Sequence, residues 1–437
     1  MKASNMSSRR SWKGIDMKSV EQNYDTAKEI YAQWGVDVDK ALKQMDKLSV
    51  SLPCWQGDDI AGFEKLIERG ERGGIQVTGN YPGRARTADE LRMDLEMAFS
   101  LIPGSHRLNL HSIYGEFGGH EVDRNALNYA HFQGWVEWAV QNKIKLDFNA
   151  TCFAHPMAAS GFTLSSKNEG VRAFWIEHVE SCREISSCIG REQGSSCIHN
   201  LWIPDGMKDI PVDRKTPRKI LRESLDKIYM TEYPGKEMMD SLESKLFGIG
   251  TESYVVGSHE FYFGYAQSRD KMLCLDTGHF HPTESLADKI SAISLFFEEF
   301  LLHLSRGIRW DSDHTVILND DLQFIAEEIV GNGLMDRVHI AMDFFDASIN
   351  RVGAWVIGAR ATLKSFLSAL LQPWEKLRAY ENEENFFARL ALREESKTMP
   401  KGAVWDYYCV RHNVPPLDRW IRDIARYEKE VLRKRSG

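Results

Sequence analysis

Between Glu243 and Asp343 the chain sets seven potential metal ligands beside strand-like apolar runs. They are Glu243 in LESKLFG, Asp276 and His279 in CLDTGHFHP, His303 in LLHLSRG, Asp311 and Asp313 in WDSDH, and Asp343 in HIAMDFFD. Carboxylates and imidazoles drawn from several strand ends, with no thiolate among them, suit Mn²⁺, Mg²⁺, Co²⁺ or Zn²⁺. One ion needs fewer donors than this, so the set predicts two metals and metal-assisted chemistry on a small polar substrate. In extended backbone Asp311 and Asp313 project to one face, and so do His279 and His281. Burying that many carboxylates without compensation is prohibitive, which makes a divalent cation the simplest explanation for their density.

Other residue types add to the pattern. Lys245, two residues after Glu243, shares its face and is placed to donate a proton or hold a substrate oxygen. His111 lies near the end of the second candidate strand, where an imidazole with a pKa near neutrality can handle a hydroxyl proton. Trp55, Phe148, Trp202 and Trp310 sit at or next to strand C-termini. Core packing accounts for most aromatics, but sugars stack their C–H faces on such rings. No dinucleotide fingerprint, P-loop or nucleophile-elbow motif occurs in a fitting context.

The elements that must carry these residues can be read from periodicity. Residues 18 to 46 place apolar side chains at helical spacing, with Gly35 as a break and Asp37 as the cap of a second helix. Eight strand candidates follow at 48–55, 107–113, 144–150, 200–206, 242–248, 271–278, 301–305 and 337–345. Helical patterns separate many of them, for example at 90–102, 128–141, 287–300 and 321–330. This alternation predicts an α/β fold, a closed (β/α)₈ TIM barrel, in preference to a doubly wound open sheet. Polar residues at the C-terminal end of nearly every run decide for the barrel, because barrel enzymes build their sites there. The expected organisation is an N-terminal arm over residues 1–17, a catalytic barrel over 18–346, and a helical region over 347–437. That last region packs its apolar stripe through Trp405, Tyr408, Val410, Trp420, Ile421, Ile424 and Tyr427 on the barrel or on a neighbouring subunit.

Composition excludes several classes. The chain has 437 residues, 43% hydrophobic, enough to bury a large core. A net charge of −8 spread along the chain gives nucleic acid no basic face to bind. The richest apolar stretch, from Ile290, is broken by Glu298 and Glu299, so no membrane span is expected. The polar, basic N-terminus lacks the apolar core of a signal peptide, and the seven irregularly spaced cysteines read as reduced thiols, together pointing to a cytoplasmic protein. Cys182, Cys188 and Cys197 lack the C-x-x-C spacing of a zinc cluster and read as buried free thiols.

Long strings then resemble one family, the L-rhamnose isomerases. They include SLPCWQGDD (51–59), TGNYPGRAR (78–86), RLNLHSIY (107–114), IPDGMKDI (203–210), ESKLFGIGTESY (243–254), CLDTGHFHPTE (274–284), RWDSDH (309–314) and DFFDASINR (343–351). The likeness runs from about Val38 to Glu430. It implies reversible conversion of L-rhamnose to L-rhamnulose in a cytoplasmic homotetramer, an intramolecular oxidoreduction using two divalent ions, usually manganese. It makes Glu243, Asp276, His303 and Asp343 ligands of a structural ion, and His279, Asp311 and Asp313 ligands of a catalytic ion. The resemblance also puts Lys245 near the reacting carbons and makes Trp202 and Phe148 pocket walls, while Glu243, Lys245 and Asp343 are placed for a proton relay. The chain departs from the family at its basic N-terminal arm and in the loop at 64–76, where sugar specificity can differ. Two further readings use similar ligands. Another aldose–ketose isomerase of the same barrel type would differ in its pocket, and a phosphodiester hydrolase would need a basic crescent that the charge does not supply.

Overall fold

The structure is a computed structural model, and it describes residues 17–64, 79–245, 252–308 and 313–435. The basic arm before Met17, most of the divergent loop at 64–76, and Trp310 and Asp311 lie outside the described residues.

Eight parallel strands close into a barrel. They are β1 (Val50–Pro53), β2 (Arg107–His111), β3 (Lys145–Thr151), β4 (Cys197–Trp202), β5 (Met238–Glu243), β6 (Met272–Asp276), β7 (Phe300–Leu304) and β8 (Val338–Met342). Each pairs with its neighbours in chain order and β8 returns to β1. Every strand candidate read from the sequence overlaps one of them, and the fourth starts three residues early, at Cys197. The fifth begins earlier than expected, at Met238, and ends at Glu243.

The pleat decides which residues meet. Ser51, Asn109, Asp147, Asn149, Asn200, Glu243 and His303 bond to one another across the barrel interior. Since successive side chains alternate faces, Asp276 and Asp343 fall on this inward set too. Their neighbours along β3 and β5, such as Leu146, Phe148, Asp240 and Leu242, face the helix layer. Below the polar end the interior is filled by Ile198, Met272, Cys274, Leu301 and Ala341. The lumen is therefore a packed core and not a channel.

Helices cover the barrel and supply its outer core. The first stretch splits as expected into α1 (Met17–Gln33) and α2 (Val38–Met45). Gly35 takes φ +80° at the break, a conformation an L side chain rarely adopts, and the Asp37 carboxylate accepts from the Lys40 N–H as N-cap. Then come α3 (Ala88–Phe99), α4 (Gln133–Asn142), α5 (Glu169–Gln193), α6 (Lys215–Ile228), α7 (His259–Ser268), α8 (Ala287–Ile293) and α9 (Asp320–Gly331). The helix expected over 287–300 stops at Ile293. The Arg337 guanidinium takes the Ser294, Phe297 and Glu298 carbonyls, turning the chain so that Phe300 starts β7.

After β8 the chain continues through α10 (Arg351–Leu370), α11 (Trp374–Asn382), α12 (Phe386–Ser396), α13 (Lys401–Arg411) and α14 (Arg419–Glu430). Helix α10 is buried along almost its whole length and packs beside α9, α3 and α2. The C-terminal apolar stripe is largely covered within the chain: Trp405, Tyr408, Val410 and Ile424 are buried, while Ile421 stays exposed. Tyr408 donates to the Met45 carbonyl and Tyr427 to Asp94, so the last helices tie back onto the first. No single helix among the described residues is long and apolar enough to cross a membrane. All seven cysteines are free, and Cys182, Cys188 and Cys197 form no metal-ligand group among the described residues.

Candidate metal centre

The C-terminal ends of β5, β6, β7 and β8 bring Glu243, Asp276, His303 and Asp343 together. One ligand atom from each lies within 4.8 Å of all the others. His303 Nδ1 is the hub, 3.2 Å from Glu243 Oε2, 3.4 Å from Asp343 Oδ2 and 3.8 Å from Asp276 Oδ2. The register sets Asp276 level with His303, while Glu243 pairs with Cys274 and His303 with Ala341, so Glu243 and Asp343 sit one inward step to either side of that pair. All four are buried, so solvent does not neutralise their charges.

Electrostatics here is unusual for a protein interior. Burial pushes the Asp276 carboxyl up to about 8, against the pull of His279 and with the help of Glu243 and Asp343. Burial also raises Asp343, and the His303 imidazole beside it offsets only part of that. Burial works against the Glu243 carboxylate as well, but the His303 and His279 rings outweigh it and hold the group well below the usual range. Burial disfavours the His303 imidazolium, yet Cys274, Glu243 and Asp343 around it raise its pKa. Two unit charges at ~4 Å interact by ~4 kcal/mol at an effective dielectric of about 20. Three carboxylates and one imidazole cannot all hold their charges at that cost without a further cation.

The donor set fits a divalent ion. Metal–oxygen and metal–nitrogen bonds of about 2.0–2.2 Å place donors on opposite sides roughly 4.4 Å apart, within the spread seen here. Cys274 was not read as a ligand in the sequence, yet its sulfur also clusters with Glu243 and His303. It shares the inward face of β6 with Asp276 two residues on. Burial raises the thiol to about 12, so it presents a neutral S–H.

The remaining sequence candidates fall in different places. His279 Nδ1 lies 3.2 Å from Glu243 Oε1, and the Trp202 indole stacks over its ring at 6.5 Å. His281 does not share that face, because the His279 N–H turns back to the Asp276 carbonyl and the segment is not extended. His281 is exposed and faces Thr283. Asp313 takes φ +37°, so the extended-backbone argument fails there, although its carbonyl accepts from the Phe345 N–H beside the end of β8. Lys245 is buried. Its Nζ donates to the Pro204 carbonyl at 2.6 Å, lies 3.2 Å from Glu252 Oε1, and sits 5.5 Å from the Trp202 ring centroid.

Two further expectations are corrected. His111 does stand beside the cluster, stacked on Trp55 at 4.1 Å and 3.3 Å from the Thr151 hydroxyl. Burial, reinforced by His303, drives its pKa down to about 3, so the ring is neutral and does not titrate near pH 7. Phe148 is not a pocket wall. It is on the helix-facing side of β3, fully buried, with its ring edge-on to Phe132 at 4.9 Å. The aromatic that packs on the strand-end tryptophans is Phe153, whose ring meets Trp202 at 5.7 Å and Trp55 at 6.5 Å. Strand alternation, odd residues inward along β3, is the signal that could have turned Phe148 outward.

A closed eight-stranded barrel with a carboxylate–imidazole cluster of metal-binding geometry on its C-terminal rim defines an enzyme of the metal-binding barrel class. Residues 18–435 match the family described as L-rhamnose isomerase (RhaA), and the chain belongs to that family of isomerases. An L-rhamnose isomerase of Rhodopirellula baltica is 56% identical over 419 residues, 96% of this chain and 97% of that one. Relatives of the same description from Salmonella paratyphi B and Citrobacter koseri are 55% and 54% identical, over 95% of this chain and 99% of theirs.

Proposed function

We propose that this chain interconverts L-rhamnose and L-rhamnulose, moving a hydrogen between C1 and C2 and a proton between their oxygens. The observation that carries the reading is the buried Glu243–Asp276–His303–Asp343 cluster, in a chain so similar over its length to enzymes described as L-rhamnose isomerases. Glu243, Asp276, His303 and Asp343 hold a structural divalent ion, and His279, Asp311 and Asp313 a catalytic one, with Mn²⁺ the preferred metal. When bound, such ions supply Lewis acidity toward the sugar's carbonyl and hydroxyl oxygens.

The protein's own groups do the rest. Asn200 Nδ2 donates to Glu243 Oε2 at 2.5 Å and fixes the carboxylate that faces both His303 and His279. Lys245 presents its ammonium beside Trp202, where it can donate to a sugar oxygen as charge develops. Glu243, Lys245 and Asp343 form the proton relay. Neutral His111 supplies a hydrogen bond without adding charge, as a substrate-binding group together with Trp202. Trp55, Trp202 and Phe153 exclude water from the reacting carbons.

The protein works as a cytoplasmic homotetramer. Phe386, Phe387 and Leu390 on α12 expose an apolar face that supports assembly. Light scattering on the purified chain should give about four times 50.1 kDa, and a stable monomer at micromolar concentration refutes this part. The catalytic reading is tested by a ketose assay on L-rhamnose, L-mannose and D-xylose with and without Mn²⁺. L-rhamnose should give the highest kcat/KM, and a preference for D-xylose sinks the assignment.

A further inference from the structure

Resting on the proposed function, we infer that Arg124, together with Glu64, is a positioning residue for the aromatic wall of the sugar pocket. The Arg124 side chain is fully buried, and its partners are carbonyls of one short turn plus one carboxylate. Nη1 donates to the Thr151 carbonyl at 2.7 Å and to the Phe153 carbonyl at 2.5 Å. Nη2 donates to Ala154 O at 3.2 Å and to Glu64 Oε2 at 3.0 Å, while Nε reaches Glu64 Oε1 at 3.1 Å.

That turn is the end of β3 and carries Phe153. It needs holding, because Ala154 takes φ +51°, the left-handed region that an L residue rarely adopts. Phe153 and Ala154 lie past the end of the β3 ladder, so their carbonyls need donors from elsewhere. Only a planar fork can serve three carbonyls and a carboxylate together. The fork is itself fixed from behind. His178 sits 2.9 Å from the Arg124 carbonyl, and His155 reaches Asp123 at 3.0 Å.

The consequence reaches the pocket through ring contacts. Phe153 packs on Trp55 and Trp202; Trp55 stacks on His111, and Trp202 on His279. A turn displaced by loss of the fork therefore moves the wall that meets the sugar, while the Glu243–His303 cluster keeps its own contacts. A residue acting only on stability would lower the melting temperature and leave KM alone.

The test is a double-variant cycle on the Mn²⁺-loaded enzyme. Arg124→Lys should raise KM for L-rhamnose by roughly tenfold with kcat changed no more than about threefold and metal content unaltered. Phe153→Leu should raise KM by a similar factor, and the double variant should raise it no further than the larger single effect. An unchanged KM in folded Arg124→Lys, or single effects that multiply, overturns the inference. Should Arg124→Lys fail to fold, Glu64→Gln takes its place in the same cycle and is read by the same criteria. Wild-type enzyme inactive on L-rhamnose would instead overturn the functional reading on which the inference rests.

Discussion

Low on the barrel, buried carboxylates are closed off by guanidinium groups; those of the cluster at its C-terminal rim are not. Asp147 accepts from Arg107 at 2.7 and 2.8 Å, and Asp240 from Arg183 through two bonds of 2.9 Å. Burial opposes ionisation at both, but the paired charges outweigh it and hold both carboxyls below the usual range. Asp276 and Asp343 are as deeply buried, yet their pKa values go up. Their neighbours are one another, Glu243 and imidazoles. The difference teaches how to tell a structural ion pair from a site waiting for a ligand. A carboxylate whose charge the fold itself satisfies is part of the scaffold, whereas several that compete for one imidazole imply a cation from outside.

The largest effect expected from this contrast is on metal removal. Chelation should abolish isomerisation, and Mn²⁺ or Co²⁺ should restore it, with Ca²⁺ a poor substitute because its longer bonds suit so compact a site badly. Full activity in protein shown by elemental analysis to be metal-free would break the comparison outright.

Single ligands should divide the cluster. Asp343→Asn should lose activity and also lower the melting temperature, because a closed site adds its binding energy to the folded state alone. Asp313→Asn should lower turnover by roughly two to four orders of magnitude while the fold and about one metal per chain persist. Metal content, melting temperature and turnover of both variants decide this. Reversed behaviour would exchange the two roles.

Much of this contrast could be read in the sequence, and what could not has a physical reason. The eight strands and the rim position of Glu243, Asp276, His303 and Asp343 follow from short apolar runs that alternate with helical patterns and from polar residues at strand ends. What sequence did not give was the face of each strand-end aromatic. Phe148 lies in the third strand, where only alternation with Asn149 and Thr151 tells that it turns outward, and Phe153 lies beyond that strand's end. Nor did it give the state of His111, because a desolvation shift depends on neighbours from other strands. His281 was placed with His279 by assuming extended backbone, but the chain turns right after Asp276. The Arg337 bonds that end α8 join segments about forty residues apart and leave no local signature.

The scaffold pairs should answer differently from the rim. Asp240→Asn leaves Arg183 buried without its counter-charge, which should cost about 3–5 kcal/mol of stability. Turnover per folded molecule should stay within about threefold, since Asp240 faces the helix layer. The acid limb of the stability profile gives the sign. The folded Asp240 carboxyl is depressed below its unfolded value of about 3.9, so its contribution is present above about pH 4. It is lost as pH falls from there through the folded value. Melting temperatures between about pH 2 and 5 should therefore fall less steeply for Asp240→Asn than for the wild type, and an identical slope there would show that the pair carries no linkage.

The smallest expected effect concerns Phe148, and it sharpens the same boundary between scaffold and site. Its ring is fully buried against Phe132, an aromatic contact worth about 0.5–1.5 kcal/mol beyond its area. Phe148→Leu removes that contact and a little volume from the helix-facing layer, so the melting temperature should drop by a few degrees. Nothing on the inward face of β3 changes, because Asp147, Asn149 and Thr151 keep their partners. KM for L-rhamnose should accordingly stay within about twofold of the wild type, where Phe153→Leu raises it about tenfold. Steady-state kinetics on the two single variants, with melting curves alongside, separates the cases. A raised KM in Phe148→Leu at unchanged stability would return Phe148 to the pocket wall and overturn the inward assignment of the odd-numbered residues of this strand.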